Sequence, residues 1–306
     1  MSNQREIIFQ AFNWRLNDIK DNLSKIAEQG FSIIQTSPLQ QHKEKDNPTW
    51  YLGYQITNFK IGNRLGTKED LRELCAVAEK YNIKIIVDCV FNHVANNGGG
   101  NQQLIPSNEV EDDIRNIPEF FHEARAIENY EDRYQCTQWG INLPDLNTSN
   151  HDLQNMMIEY LKDLQSHGVK GFRFDATRHI ELPDDLWCGS DFWDRVLGHI
   201  DNKDKLFLYG EVIFSDTKLV DRYCKYMNVG VNNNSGSDKR KLIHWTFSHD
   251  DDLTFNLNRP KSKDILLNEW EYLLKSNRES HMLFYPCVSQ DIWLDERMKY
   301  INNTYR

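Results

Sequence analysis

Short apolar segments of strand length alternate with amphipathic helical segments along almost the whole chain, and few folds accommodate that rhythm. Residues 7–12 read as a strand, and Leu16–Glu28 as a helix with Ile19, Leu23 and Ile26 at helical spacing. A second strand is expected over 31–36. The helix over 67–81 is opened by the Thr67/Asp70 capping pair and striped by Leu71, Leu74, Cys75 and Ala78. Residues 83–90 form a third strand, apolar enough for burial on both faces. After a break the rhythm resumes with helix His151–Ser166, strand 171–176, helix 191–200, strand 206–212 and helix 216–226. A weak strand over 227–231, strand 242–247, helix 264–276, strand 282–288 and a short helix over 293–302 complete the pattern. Strict alternation requires a parallel sheet, and eight units favour closure into a (β/α)8 TIM barrel, an α/β fold.

Two departures modify that expectation. Only residues 232–241 separate the sixth and seventh strands, too short a stretch for a full crossover helix. Residues 92–150 are polar and irregular, with Gly98-Gly99-Gly100 near their start, which suits an inserted subdomain after the third strand. The expected organisation is a barrel made of 1–91 and 151–306, with 92–150 as the insertion.

Composition narrows the function. A net charge of −10 argues against a nucleic-acid groove, and no apolar run has the length of a membrane span. Aromatic residues reach 12%, enough to supply platforms for sugar rings as well as a core. The six cysteines contain no Cys-x-x-Cys pair, so no zinc cage or redox motif is implied, and Cys89 in its apolar strand reads as inert. The polar start lacks a secretion leader, so the expected compartment is cytoplasmic, or extracellular if a leader has been removed.

Chemistry gathers at the strand ends. Residues alternate in direction along a strand, so Arg173 and Asp175 share a face at the end of theirs. In a barrel the active site lies at the C-terminal ends of the strands. The third strand delivers Asp88, Asn92 and His93 there, the fifth Glu211, and the seventh His249 and Asp250. Charges of a solvated face would scatter over helices, whereas these end apolar strands.

Asp88-x-x-x-Asn92-His93, Gly171-Phe172-Arg173-Phe174-Asp175, Gly210-Glu211 and His249-Asp250, with Leu143-Pro144-Asp145-Leu146 in the insertion, resemble the ordered signatures of the α-amylase family of glycoside hydrolases. The stretches from Phe9 to Trp14, Gln35 to Pro38 and His179 to Asp185, together with Tyr54-Gln55 and Ile61 to Arg64, are similar to the bacterial α-amylase branch. The likeness spans about residues 5 to 250.

The resemblance implies that Asp175 is the nucleophile, Glu211 the general acid/base and Asp250 the third carboxylate, which grips sugar hydroxyls. Arg173 is expected to keep Asp175 ionised. His93, His249, Tyr54, Gln55, Arg173 and Arg178 are implied as substrate-binding, with Tyr54 as the aromatic platform beneath the reacting sugar. A calcium ion is implied, held by the side chains of Asn92 and Asp145 and by backbone carbonyls at Thr137 and His179. Whether chloride binds near Arg173 stays open. The implied activity is retaining endo-hydrolysis of α-1,4 bonds in starch- or glycogen-type glucans or maltooligosaccharides. An α-glucosidase or 4-α-glucanotransferase of the same family, and a catalytically silent α-glucan-binding protein, are the alternatives. The chain departs from the family in carrying Ser248 where many members have Asn, and Arg178 where Lys is commoner. It also ends soon after Val288, without the β-sandwich domain usual in this branch.

Overall fold

The computed structural model describes residues 5–43, 49–232, 235–250, 262–286 and 291–306. Strand β1 (Ile7–Ala11) pairs in parallel with β2 (Ile33–Thr36), Ile8 facing Ile33 across the ladder. An antiparallel hairpin, β3 (Gln40–His42) and β4 (Ile56–Ile61), stands apart from that sheet. The sheet continues through β5 (Lys84–Cys89), β6 (Gly171–Phe174), β7 (Phe207–Glu211), β8 (Asn228–Gly230), β9 (Leu242–Trp245) and β10 (His281–Phe284). β10 returns to β1, Ile7 opposite Met282, and the eight strands close into a parallel barrel. The TIM barrel expected from the alternation is therefore present.

Strand alternation divides the core. Ile8, Ile33, Ile86, Tyr209, Ile243 and Leu283 pack together inside the barrel. Phe9, Ile34, Val87 and Phe172 point outward into the larger core beneath the helices. That layer is covered by α1 (Leu16–Glu28) and α2 (Lys68–Lys80), the latter opened by the expected capping box: Thr67 N–H donates to Asp70 Oδ2 at 2.8 Å.

The insertion carries two short helices, α3 (Asp112–Arg115) and α4 (Arg133–Gln138), before the chain re-enters the barrel at α5 (His151–Ser166). Its ends are stitched together, with Leu146 N–H donating to Asn92 O at 2.9 Å and Val94 N–H to Pro144 O at 3.2 Å. It also leans on the hairpin: Ala95 N–H donates to Ile56 O at 2.8 Å and Glu111 N–H to Thr57 O at 3.0 Å. The lobe above the barrel thus includes β3 and β4, which precede residue 92. Sequence patterning missed this pair because β3 is three residues long and entirely polar.

Helices α6 (Phe192–Gly198) and α7 (Thr217–Tyr223) follow β6 and β7. Between β8 and β9 the described residues hold only a single 3-10 turn, Lys239–Lys241, so the sixth crossover is short as expected. The segment is pinned to α7 by Ser237, whose N–H donates to Asp221 Oδ1 at 2.7 Å, and by Lys241 Nζ on Cys224 O at 2.7 Å. Helix α8 (Lys263–Ser276) precedes β10, and α9 (Glu296–Tyr305) lies three residues later than the spacing implied, capped by Asp295. The strand expected over 282–288 is seen as β10; its last two positions lie outside the described residues. No helix among the described residues is long and apolar enough to cross a membrane.

Candidate active site

Arg173 is the hub of the barrel's C-terminal rim. It projects from β6 and is buried, and three carboxylates converge on it. Nη1 donates to both oxygens of Asp88 at 2.8 Å and to Asp175 Oδ1 at 2.7 Å, while Nη2 lies 3.0 Å from Glu211 Oε1. The other oxygen of Glu211 accepts Ala176 N–H at 3.0 Å. Ala176 presents that N–H from a left-handed backbone, φ +47°. Gly210 makes room for the arrangement, since a Cβ there would lie 2.6 Å from the Thr177 side chain.

One cation cannot offset three buried anions, so protons stay on this cluster above the ordinary carboxylate range. Burial pushes Asp88 up to about 7. Burial also raises Glu211, helped by the neighbouring Asp175 charge and opposed by Arg173. For Asp175, burial outweighs the pull of Arg173 and the carboxyl sits above its usual range. Arg173 acts toward the charged form of Asp175 as expected, but desolvation is the larger effect.

A second layer surrounds the hub. Tyr54 OH donates to Asp88 Oδ2 at 3.0 Å, and its ring stacks on His249 with centroids 5.7 Å apart. With Gln10 Nε2 as donor, His249 Nδ1 accepts at 3.0 Å, leaving Nε2 to face Tyr54 OH at 3.3 Å and Asp250 Oδ1 at 3.5 Å. Burial and the Arg173 charge drive His249 down to about 3, so the ring is neutral. His93 Nε2 lies 3.2 Å from Tyr54 O, and burial lowers its value to about 4. Tyr54, Gln55, His93, Arg173, Asp175, Arg178, Glu211, His249 and Asp250 all line one cavity of about 610 Å³. Gln55 Oε1 is buried without a hydrogen-bond partner among the described residues, which leaves an acceptor there for a ligand hydroxyl.

Arg178 lines the cavity and also braces the backbone around it. Its guanidinium donates to two backbone carbonyls, Ile213 O at 3.4 Å and Tyr130 O. Sequence reasoning also gave no role to Gln10 or to the cavity-lining Trp50, Tyr130, Phe214 and Asn232. For Gln10 the signals were its place on β1 and in the Phe9 to Trp14 stretch, neither of which names its partner.

Two of the implied calcium ligands, Asn92 and Asp145, meet where the insertion joins the barrel. Asp145 is buried, with Oδ1 3.2 Å from Asn92 Nδ2 and Oδ2 2.7 Å from His122 Nδ1. Glu181, also buried, accepts from Gln138 Nε2 at 2.8 Å and from Thr148 Oγ1. Burial raises Asp145 well above the usual range and lowers His122, so neither carboxylate faces a permanent cation. Gln138 Nε2 also reaches Thr137 O at 2.8 Å, and His179 Nδ1 faces Cys136 O at 2.8 Å. Among the described residues no three His, Cys, Asp or Glu side chains converge as a metal site. A cation here would draw on Asp145, on Asn92 turned to present its oxygen, and on carbonyls. That oxygen-only set, short of positive charge, fits calcium.

Comparison with known proteins agrees with this geometry. The family model for the α-amylase catalytic domain matches residues 13–244. The chain belongs to the α-amylase family. Over 76% of its length it is 38% identical to an α-amylase of Clostridium acetobutylicum, covering 31% of that protein. An α-amylase of Butyrivibrio fibrisolvens is 30% identical over 77% of the chain, which covers 26% of that relative. The chain thus spans about a third or less of the length of these α-amylases. In fold it resembles the α-amylase of Geobacillus thermoleovorans in complex with acarbose. That match has a TM-score of 0.78 at 20% identity and covers 98% of this chain and 78% of the other.

Proposed function

We propose that this α-amylase-family chain hydrolyses internal α-1,4-glucosidic bonds of starch-type glucans and maltooligosaccharides with retention of configuration. The observation that carries the reading is one guanidinium joined to both Asp175 and Glu211 at the wall of an open cavity. Retention needs two carboxyl groups close together with unlike protonation. Asp175 attacks the anomeric carbon, and Arg173 draws it toward the charged form. Glu211, raised by burial and by the Asp175 charge, holds the proton that passes to the departing glycosidic oxygen.

Once the glycosyl group is bonded to Asp175, that anion is gone and Glu211 titrates lower. It is then the base that takes a proton from water in the second step. Neutral His249 carries its N–H on Nε2 and offers it to a sugar hydroxyl, while His93, whose N–H goes to Tyr54 O, presents Nδ1 as an acceptor. Tyr54 offers its ring, and Asp250 accepts hydrogen bonds from hydroxyls at the cavity edge. Asn92, Asp145 and the carbonyls of Thr137 and His179 would hold calcium, which when bound supplies positive charge between the insertion and the rim.

The test is digestion of maltoheptaose by the wild type and by Glu211→Gln, with the anomeric form of early products followed by NMR. The reading expects internal cleavage to α-anomers by the wild type and a loss of about 10²–10⁴-fold in the variant. Equal, background-level rates in the two proteins would reject hydrolysis. Products longer than the substrate would assign the site to glycosyl transfer.

A further inference from the structure

Thr137 O and His179 O come from opposite sides of the junction between insertion and barrel, Thr137 from α4 and His179 from the turn after β6. One residue with no part in the chemistry above reaches both. Arg133, the first residue of α4, donates from Nη1 to Arg178 O and from Nη2 to Ile180 O at 2.9 Å. Those carbonyls stand on either side of His179 O. Tyr223 OH reinforces the second, donating to Ile180 O at 2.6 Å while accepting Arg133 Nη2 at 2.9 Å. The peptide between is planar, and its Ile180 N–H donates to Thr177 O at 3.1 Å, so His179 O is aimed the opposite way.

The insertion side hangs on the same residue. Thr137 Oγ1 donates to Arg133 O, one helical turn back, at 3.1 Å. The His179 ring closes the arrangement, its Nδ1–H donating at 2.8 Å to Cys136 O, in the residue before Thr137. Arg133 Nε also lies 3.1 and 3.0 Å from the two oxygens of Asp185. Asp185 accepts in addition from Arg222 Nη2 at 2.7 Å and from Leu182 N–H at 2.8 Å. An ion pair alone would leave the two carbonyls out; the planar fork takes carboxylate and carbonyls together.

We propose that Arg133 is a positioning residue for calcium, setting Thr137 O and His179 O in place from the two sides of the junction without touching the ion. The inference rests on the calcium site in the function reading. Partners one layer out from a metal hold its ligands in direction, and losing one weakens binding while every ligand remains. Asp185 offsets the guanidinium charge, so the brace can stand near a cation.

Calcium titration calorimetry on the full chain tests this, with the calcium-free thermal midpoint measured beside it. Arg133→Lys keeps the charge but cannot span two carbonyls and a carboxylate, so calcium affinity is expected to fall about 10–100-fold. Arg222→Lys disturbs the same Asp185 and none of these carbonyls, and is expected to keep the wild-type affinity. A merely structural role would lower the calcium-free midpoint in both variants and leave both affinities alone. Thr137→Val removes the hydroxyl and leaves the carbonyl; its affinity is also expected to fall, and it decides the matter where Arg133→Lys does not fold.

Wild-type affinity in Arg133→Lys or in Thr137→Val, or an equal loss in Arg222→Lys, overturns the proposal while calcium itself stands. A wild type that binds no calcium removes the ion and the brace together. None of these readouts needs hydrolysis, so the loss of the brace and the loss of the enzymatic reading are seen separately.

Discussion

Arg173 Nη1 and Asp175 Oδ1 lie 2.7 Å apart, yet the arginine is shared: Asp88 takes the same nitrogen and Glu211 the other. The guanidinium is thus a spacer that fixes three acids relative to one another. Removing it leaves three buried carboxyl groups uncompensated. Arg173→Gln is expected to cost about 3–5 kcal/mol of stability, the range for breaking a buried ion pair from one side. Arg173→Lys restores charge but not the fork, so it should recover stability without recovering activity. Urea unfolding and maltoheptaose hydrolysis check this; a fully active Arg173→Lys would show that the fork is dispensable.

The raised value of Glu211 depends partly on the Asp175 charge. Asp175→Asn deletes that charge while Arg173 remains. Glu211 should then ionise at lower pH than in the wild type. Infrared difference spectra with labelled glutamate would follow the protonated carboxyl band. A Glu211 that titrates unchanged or higher in the variant contradicts the alternation of acid and base roles.

Buried neutral histidines set an acid limit on stability. His249 Nδ1 accepts from Gln10 and His281 Nδ1 from Glu6 N–H at 3.0 Å, so a proton on either nitrogen breaks a bond. Burial lowers His281 and His244 to about 4, and His249 to about 3. Arg173 faces His249, Lys239 and Arg5 face His244, and Arg5 and Lys84 oppose Glu6 around His281. The unfolded value is about 6.5, so the unfolded state takes up protons first. Their contribution is complete above about pH 6.5 and declines as pH falls toward 4 and 3. The raised Asp88 works the other way, its stabilisation waning as pH rises from about 4 to about 7. Burial raises Asp145, Asp175, Glu181 and Glu211 in the same sense as Asp88, so the histidine contribution is isolated by substitution: in His281→Asn the urea midpoint should fall less between pH 7 and pH 5 than it does in the wild type. A His281→Asn midpoint that changes with pH as the wild type's does contradicts this role for the ring.

How much of this was legible in the sequence follows from range. Apolar runs such as Ile85–Ile86–Val87 announce a buried strand by themselves, and alternation alone puts Arg173 and Asp175 on one face. Glu211 reaching the same guanidinium depends on β6 and β7 pairing in register, Phe174 opposite Gly210. That was readable only through the strand-end rule. Gln10 on His249 joins residues 239 positions apart, and no local pattern signals it. Arg178 was read by its charge. Its actual partners are backbone carbonyls, which look alike at every residue until the chain is folded.

Calcium should act on the insertion more than on the barrel. Asp145 and Glu181 are buried among neutral donors, so an oxygen-bound cation would relieve both. Chelator is expected to lower the thermal midpoint and to speed proteolytic cleavage within 92–150, and added calcium to reverse both. Asp145→Asn should abolish the calcium response. A midpoint indifferent to chelator and calcium would remove the ion from the account.

Gly210 offers the sharpest test of how the site is held. A Cβ at this position would lie 2.6 Å from the Thr177 side chain and 2.9 Å from Met227 Sδ. Thr177 belongs to the turn whose preceding residue, Ala176, donates its N–H to Glu211. Overpacking in Gly210→Ala should therefore cost about 1–3 kcal/mol and also displace the turn that orients the acid. Thr177→Ala removes both clashing side-chain atoms, so the double variant should recover part of the loss in stability and in kcat. Coupling between the two changes is expected because the atoms share one space. A Gly210→Ala protein with wild-type midpoint and wild-type kcat would show that the acid's position does not depend on this contact.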